Sequence, residues 1–324
     1  MSVYTTVTEA ELTQFIQRYN VGNVVSYAGI LAGMENTNYA VNTTKGAFIL
    51  TLYEHYNAEE LPFFLGLMQH LSHHYVKTIM PVKDKAGQVL QSLVGKPAAL
   101  IERLSGKALA AKESSVEHCQ IIGKALADFH LAGLSYDEKR PNDRAKGLSA
   151  RLISRLLPKL SVEDGALLKQ EIDYQRSVDW SVLPAGIIHA DLFCDNSIFD
   201  DVDNKLVLSG IIDLYLACND AFIYDLAIVA NDWCCHVDGS LDEARWLPLL
   251  RAYHRVRPII DIEKEVWVAM LRMAALRFWV GRLDIVFYPP IGDMVMQKDP
   301  NELKHKLQTC LRDEQKINQL LTSL

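Results

Sequence analysis

The chain has 324 residues, 49% of them hydrophobic, and a formal net charge of −7 with no basic run. That length exceeds one average domain and that composition fills a sizeable core, while the acidic balance argues against nucleic acid as a bulk partner. Every long apolar stretch is broken by charge before membrane-spanning length, and the opening MSVYTTVTEAELTQF has no basic region followed by an apolar one, so a cytoplasmic protein without a membrane partner is expected.

Taken in chain order, the first hundred residues read as short strands: VVSYAGI (24–30), NYAVN (38–42), FILTLYE (48–54), VLQSLV (89–94) and AALIERL (98–104), with turn-like TTKG and VGKP between them. One helix, over about 61–73, interrupts them. After SGK at 105–107 the apolar spacing turns helical, over about 116–131, 162–178, 241–255, 263–286 and 300–321, and only 187–213 reads as extended. The expected fold class is α+β, with a small antiparallel β-sheet lobe carrying one helix over 1–104 and a larger, mainly helical lobe over 105–324. The six cysteines (Cys119, Cys194, Cys218, Cys234, Cys235 and Cys310) show no CxxC spacing, which favours free thiols over disulfides or zinc.

The stretch HADLFCDNSIF at 189–199 concentrates the chemistry. His189 precedes Asp191 by two residues and Asn196 follows it by five, the spacing of a kinase catalytic loop. Phosphoryl transfer to an alcohol needs a carboxylate to orient the hydroxyl and take its proton, and a nearby amide oxygen can help hold Mg²⁺ on the phosphates. The second acid such a site needs stands at Asp213, 22 residues after Asp191, where LVLSGIID reads as a strand ending in a carboxylate. Chance produces HxDxxxxN in roughly one or two chains per hundred of this length, so the strand context and the downstream acid add weight. Two other readings stay open. The polar residues could be ordinary hairpin-turn residues beside a packed core histidine, or ligands of a metal-dependent hydrolase, although only one histidine lies close by.

A second informative segment is EVWVAMLRMAALRFWVGRLDIVF at 265–287, apolar nearly all round and therefore expected to be buried. Val266, Met270, Met273, Arg277, Val280 and Asp284 share one stripe of it. Arg277 there could clamp an amino-acid carboxylate while Asp284 or another acid meets an ammonium, or it could pair internally with Asp284 or Asp225. Arg282 and Arg272 are further candidates, and Tyr215 and Trp233 either wall a pocket or simply pack. His130, closing KALADFH, reads as a helix-end or packing residue.

On the segments GMENTNYAV (33–41), FILTLYE, LPFFLGLMQHL (61–71), HADLFCDNSIF, GIIDLYLACND (210–220), YDLAI (224–228), NDWC (231–234), LRFWVGRLD (276–284) and KDP (298–300), the chain resembles the aminoglycoside-phosphotransferase-like, choline-kinase-like small-molecule kinases, and among them the homoserine branch. The resemblance implies a two-lobed protein-kinase-like fold, ATP and Mg²⁺ as cofactors, and L-homoserine as the small-molecule partner. It implies Asp191 as catalytic base, His189 as a support of the loop, Asn196 and Asp213 as metal ligands, and Asp225 as the residue tying the helical lobe to the loop. Gly33 with Asn36 or Asn38 would meet the phosphates, and backbone groups between Glu102 and Leu104 would read the adenine.

The chain departs from that pattern at Thr51, which stands where such kinases carry a strand lysine. Lys45 or a second Mg²⁺ would then have to supply the charge, and Glu59 and Glu60 would be as fit to cap the helix at Leu61 as to serve catalysis. Two further functions stay open as alternatives: a kinase for another alcohol, such as choline or an aminoglycoside, against which the arginines of 272–282 weigh, or, given the absent lysine at 51, a catalytically silent nucleotide-binding protein.

Overall fold

A computed structural model of the chain describes residues 4–30, 36–110, 113–142, 148–236, 238–289, 298–321 and 324. Contacts divide it into two compact units, one within residues up to Ser105 and the other from Gly106 onward.

In the first unit, helix α1 (Glu9–Ile16) opens with a capping box: the Glu11 N–H donates to Thr8 Oγ1 and the Thr8 N–H donates back to the Glu11 carboxylate at 2.9 Å. Strands β1 (Val24–Ile30), β2 (Asn36–Thr43), β3 (Gly46–Tyr53), β4 (Gln91–Leu93) and β5 (Lys96–Glu102) form one antiparallel sheet in the order β1-β2-β3-β5-β4. Alternate residues of β2 and β3 point inward, so Val41, Leu50 and Leu52 bury against Leu12, Phe15 and Ile16 of α1. Helix α2 (Leu61–His73) buries seven apolar side chains. Its entry is tied by Asn57, whose Oδ1 accepts the N–H groups of Glu59 and Glu60 at 3.0 Å each and whose own N–H donates to the Glu60 carboxylate at 3.3 Å, while Glu60, the residue before Leu61, makes no side-chain cap bond to the helix.

The second unit begins with β6 (Lys107–Ala108), followed by α3 (Val116–Gly133), α4 (Ala150–Leu156), α5 (Val162–Ser177), β7 (Ala185–Ile188), β8 (Ser197–Val202), β9 (Lys205–Ile211) and β10 (Cys218–Ala221). Six helices complete it: α6 (Phe222–Trp233), α7 (Glu243–Val256), α8 (Asp261–Glu265), α9 (Trp267–Phe287), α10 (Pro300–Arg312) and α11 (Glu314–Leu321). β6, β8 and β9 make a three-stranded sheet, and β7 pairs with β10 as a ribbon. Gly106, at φ +98°, is needed where the chain enters β6, because a Cβ there would collide with the Phe199 carbonyl of β8.

The helices over 116–131, 162–178 and 241–255 fall within two residues of expectation. The span 263–286 does not run as one helix, since the backbone breaks at Val266, and 300–321 breaks likewise at Asp313. The sequence reading missed α6 altogether. All twelve residues of α6 are buried, which leaves no polar face to betray a 3.6-residue period. Helix α9 is buried on most sides and packs on α6, where Asn231 Nδ2 donates to the Leu271 carbonyl at 2.9 Å. Among the described residues no helix is long and apolar enough to cross a membrane, and all six cysteines are free thiols.

Candidate active site

The loop between β7 and β8 is held from below by α6. Asp225, fully buried, accepts the N–H groups of His189 at 2.7 Å and Ala190 at 2.9 Å through its two oxygens. That pair of bonds holds Ala190 at φ 65°, a left-handed conformation that costs an alanine about 1–2 kcal/mol. One turn further along the loop, Cys194 N–H donates to Asp232 Oδ2 at 2.8 Å and Trp233 Nε1 donates to the Leu192 carbonyl at 3.1 Å. Four attachments, at residues 189, 190, 192 and 194, therefore fix the backbone on which Asp191 sits.

Asp225 is itself braced. His130 Nε2 lies 3.0 Å from it, and His130 Nδ1 lies 2.7 Å from the Tyr253 hydroxyl, to which Arg257 Nη1 donates at 3.2 Å. Burial pushes the His130 imidazole below its usual value, so the neutral ring donates from Nε2 and accepts from Tyr253 at Nδ1. Burial raises the Asp225 carboxyl, but the donors from His130 and His189 outweigh it and hold the carboxyl below its usual range. His189 is buried and neutral by the same desolvation: its Nε2 donates to the Ile212 carbonyl at 2.9 Å, and its Nδ1 accepts the Asp191 N–H at 3.2 Å.

Those contacts bring three elements together. Asn196 donates Nδ2 to the Asp191 carbonyl at 2.7 Å and to Asp191 Oδ2 at 3.2 Å, and its own carbonyl accepts the Ile212 N–H at 3.0 Å. The next residue is Asp213, exposed and left-handed at φ 60°, a conformation that aspartate tolerates better than most residues. Asp191 is half-buried, and desolvation pushes its carboxyl up to about 8; the Arg277 charge opposes this, Asp213 adds to it, Lys298 opposes it and Asp195 adds to it. Asp191, Asn196 and Asp213 thus share one electrostatic neighbourhood. Two hard oxygen donors, an amide and a carboxylate, suit a Mg²⁺ that completes its shell with phosphate and water. Among the described residues no group of three or more His, Cys, Asp or Glu side chains could hold a metal ion, so the ligand-rich centre of a hydrolase is not seen among them.

Arg277, on α9, is the cation whose charge acts most on Asp191. It is 9% exposed, and its Nη1 is buried with no hydrogen-bond partner among the described residues. Neither expected internal pair forms: Asp284 is bound by Arg155, and Asp225 by His130 and the loop. The other arginines are committed elsewhere. Arg272 makes a bidentate pair with Glu171 at 3.0 and 2.7 Å, and Arg282 donates to Glu302 at 2.7 Å and to the Asp299 carbonyl at 2.8 Å. Arg282 thus spends its Nη1 on the first turn of α10. Trp233, completely buried beneath the loop, is a support and not a pocket wall, while Tyr215 is buried in the 3₁₀ turn after Asp213.

In the first unit, Gly33 lies outside the described residues. Thr51 is buried opposite Asn38 and donates its hydroxyl to Asn38 Oδ1 at 2.8 Å. Asn36 is buried at the start of β2, with its Oδ1 unpartnered among the described residues. Lys45 sits at the β2–β3 turn and donates to the Asn20 carbonyl at 3.3 Å. From there to the Thr51 pair is about 16 Å along the strands, too far for it to replace a lysine at 51. In the connector, the N–H groups of Glu102 and Arg103 donate to the Met80 and Ala47 carbonyls and are therefore not open to an adenine edge.

Residues 26–259 match the phosphotransferase enzyme family. The chain belongs to that family. Its curated relatives include the homoserine kinase of Methylobacillus flagellatus, 41% identical over 95% of this chain and 96% of that one, and the homoserine kinase of Paraburkholderia phytofirmans, 39% identical over 96% of each. Solved phosphotransferases share the fold: a microcompartment-associated aminopropanol kinase at 15% identity, TM-score 0.71, covering 96% of this chain and 99% of that one, and the choline kinase of Cryptosporidium parvum at 14% identity, TM-score 0.65, covering 92% of each. As a phosphotransferase the chain is an enzyme, and the protein-kinase-like architecture expected from its sequence is the one it has.

Sequence reasoning passed over Asp232, Tyr253 and Lys298 at this phosphotransferase site and read His130 as a helix-end or packing residue. The KDP segment and NDWC carried a signal for two of them. His130 and Tyr253 gave none, since their partners lie 95 and 123 residues away from His130 in sequence.

Proposed function

We propose that this phosphotransferase transfers the γ-phosphoryl group of ATP to the side-chain hydroxyl of L-homoserine, giving O-phospho-L-homoserine and ADP. The acceptor oxygen forms a bond to γ-phosphorus while the bond from phosphorus to the β–γ bridging oxygen breaks; its electron pair leaves with ADP, and the hydroxyl proton passes to Asp191 and then to solvent. Asp191 orients the hydroxyl and receives that proton, its raised pKa matching the task better than an ordinary aspartate would. Asn196 Nδ2 fixes the carboxylate while the amide oxygen and Asp213 would hold Mg²⁺. When bound, that ion neutralises charge on the β- and γ-phosphates.

The observation that carries the acceptor is Arg277. A buried guanidinium nitrogen without a partner is costly, and one beside the catalytic acid suits the planar carboxylate of an amino-acid substrate. The names of the curated relatives support the same acceptor. Choline and aminoglycosides carry cations and no carboxylate, so Arg277 would oppose them. An ADP-release assay with L-homoserine, choline, kanamycin and no acceptor tests the reading. Release stimulated by homoserine alone is expected; stimulation by choline or kanamycin and not by homoserine would replace the acceptor, and none above the acceptor-free rate would make the chain a silent nucleotide binder.

A further inference from the structure

Two cations place their charge on Asp191, and only one has been accounted for. Arg277 is buried on a helix; Lys298 is the other. Its ammonium lies 2.8 Å from Asp195 Oδ2 and 5.3 Å from the centre of the Phe193 ring, so it stands over the loop between Asp191 and Asn196. Phe193 is tied to the backbone of Asp191: its N–H donates to the Asp191 main-chain carbonyl at 2.8 Å. The lysine side chain is 41% exposed and its aspartate partner 53%. An exposed pair of this kind changes a folding equilibrium by at most about fivefold, too little to explain the arrangement as a structural clamp. It leaves an ammonium on a rotatable four-carbon stem over the loop that carries Asp191, and a transferring phosphoryl group spreads negative charge over three equatorial oxygens.

We propose that Lys298 is a catalytic residue, whose ammonium passes from Asp195 to an equatorial oxygen of the γ-phosphoryl group during transfer. Asp195 parks the cation over the loop between turnovers and keeps it from the carboxylate of Asp191. The ammonium stays protonated throughout and takes no part in the proton transfer, so the atoms and charges of the reaction are those already given. The assignment rests on Asp191 as the point of transfer and is independent of which alcohol is the acceptor.

The test compares Lys298→Met, Lys298→Arg and Asp191→Asn in the full chain, reading turnover, thermal unfolding, and calorimetric affinity for Mg·ADP with and without aluminium fluoride as the planar phosphoryl mimic. Lys298→Met is expected to lower kcat by about a hundredfold or more, the loss typical of one transition-state donor. Its affinity for Mg·ADP should change less than threefold and its affinity for the fluoride complex should fall at least about tenfold, with Lys298→Arg restoring part of both. A kcat within fivefold of the parent, or equal losses with and without fluoride, overturns the assignment. If Asp191→Asn loses turnover while Lys298→Met keeps it, the lysine alone is wrong; if Asp191→Asn keeps full turnover, the reading of the loop falls and the lysine with it.

Discussion

Asn196 donates the same side-chain nitrogen to the backbone and to the carboxylate of Asp191. The amide is thereby oriented with its nitrogen toward the Asp191 carboxylate and its oxygen outward, so in the proposed mechanism one residue both steadies the base and offers a metal ligand. Asn196→Ala should raise the Mg²⁺ concentration for half-maximal activity and lower kcat together. Asn196→Asp, which keeps an oxygen but adds a like charge beside Asp191, should move the acid limb of the rate profile to higher pH. A Mg²⁺ titration and a pH profile of the two variants check this; a raised metal requirement with an unmoved limb in the aspartate variant would separate the two roles.

Asp191 carries a signature in stability as well as rate. Its carboxyl is raised from an ordinary value near 4 to about 8 in the fold, so the native state holds a proton that the unfolded chain has released. Stability from this group therefore declines as pH rises from about 4 to about 8 and levels off above. Asp191→Asn removes that decline, and its melting temperature should gain on the parent's between pH 5 and pH 8. Melts at three pH values show it; a constant difference would mean that Asp191 is ionised throughout. In the parent, kcat/KM should climb with pH to a limb near 8.

Arg277→Met removes the guanidinium proposed to hold the substrate carboxylate and the strongest charge holding the Asp191 pKa down. A hydrogen bond to a charged group is worth about 1.5–3 kcal/mol, so KM for L-homoserine should rise by about tenfold to a hundredfold while KM for ATP stays near the parent's. The rate limb should also move to higher pH. Equal rises in both Michaelis constants would point to a damaged fold in place of a lost ligand.

What the sequence revealed here depended on how local the information was. The loop at 189–196 was legible because the chemistry fixes its spacing within eight residues, and the hairpins of the first unit because strand alternation is a near-neighbour property. The fate of the arginines was not legible. Arg272 meets Glu171 across 101 residues and Arg155 meets Asp284 across 129, pairings that only the packing of α4 and α5 on α9 decides. Helix α6, which carries Asp225, Asp232 and Trp233, was hidden because complete burial erases the polar face by which a helix is recognised. Thr51 reads as a missing lysine in sequence; in the sheet it is half of a hydrogen-bonded pair with Asn38.

The most direct measurement is the turnover of Asp191→Asn with L-homoserine, alongside its affinity for Mg·ATP. A loss of about 10²–10⁴-fold in kcat, with nucleotide affinity kept, is the expected result, since the variant retains the shape of the loop but has no base. Turnover within a few-fold of the parent would contradict the assignment of this loop as the place where the hydroxyl meets the phosphoryl group.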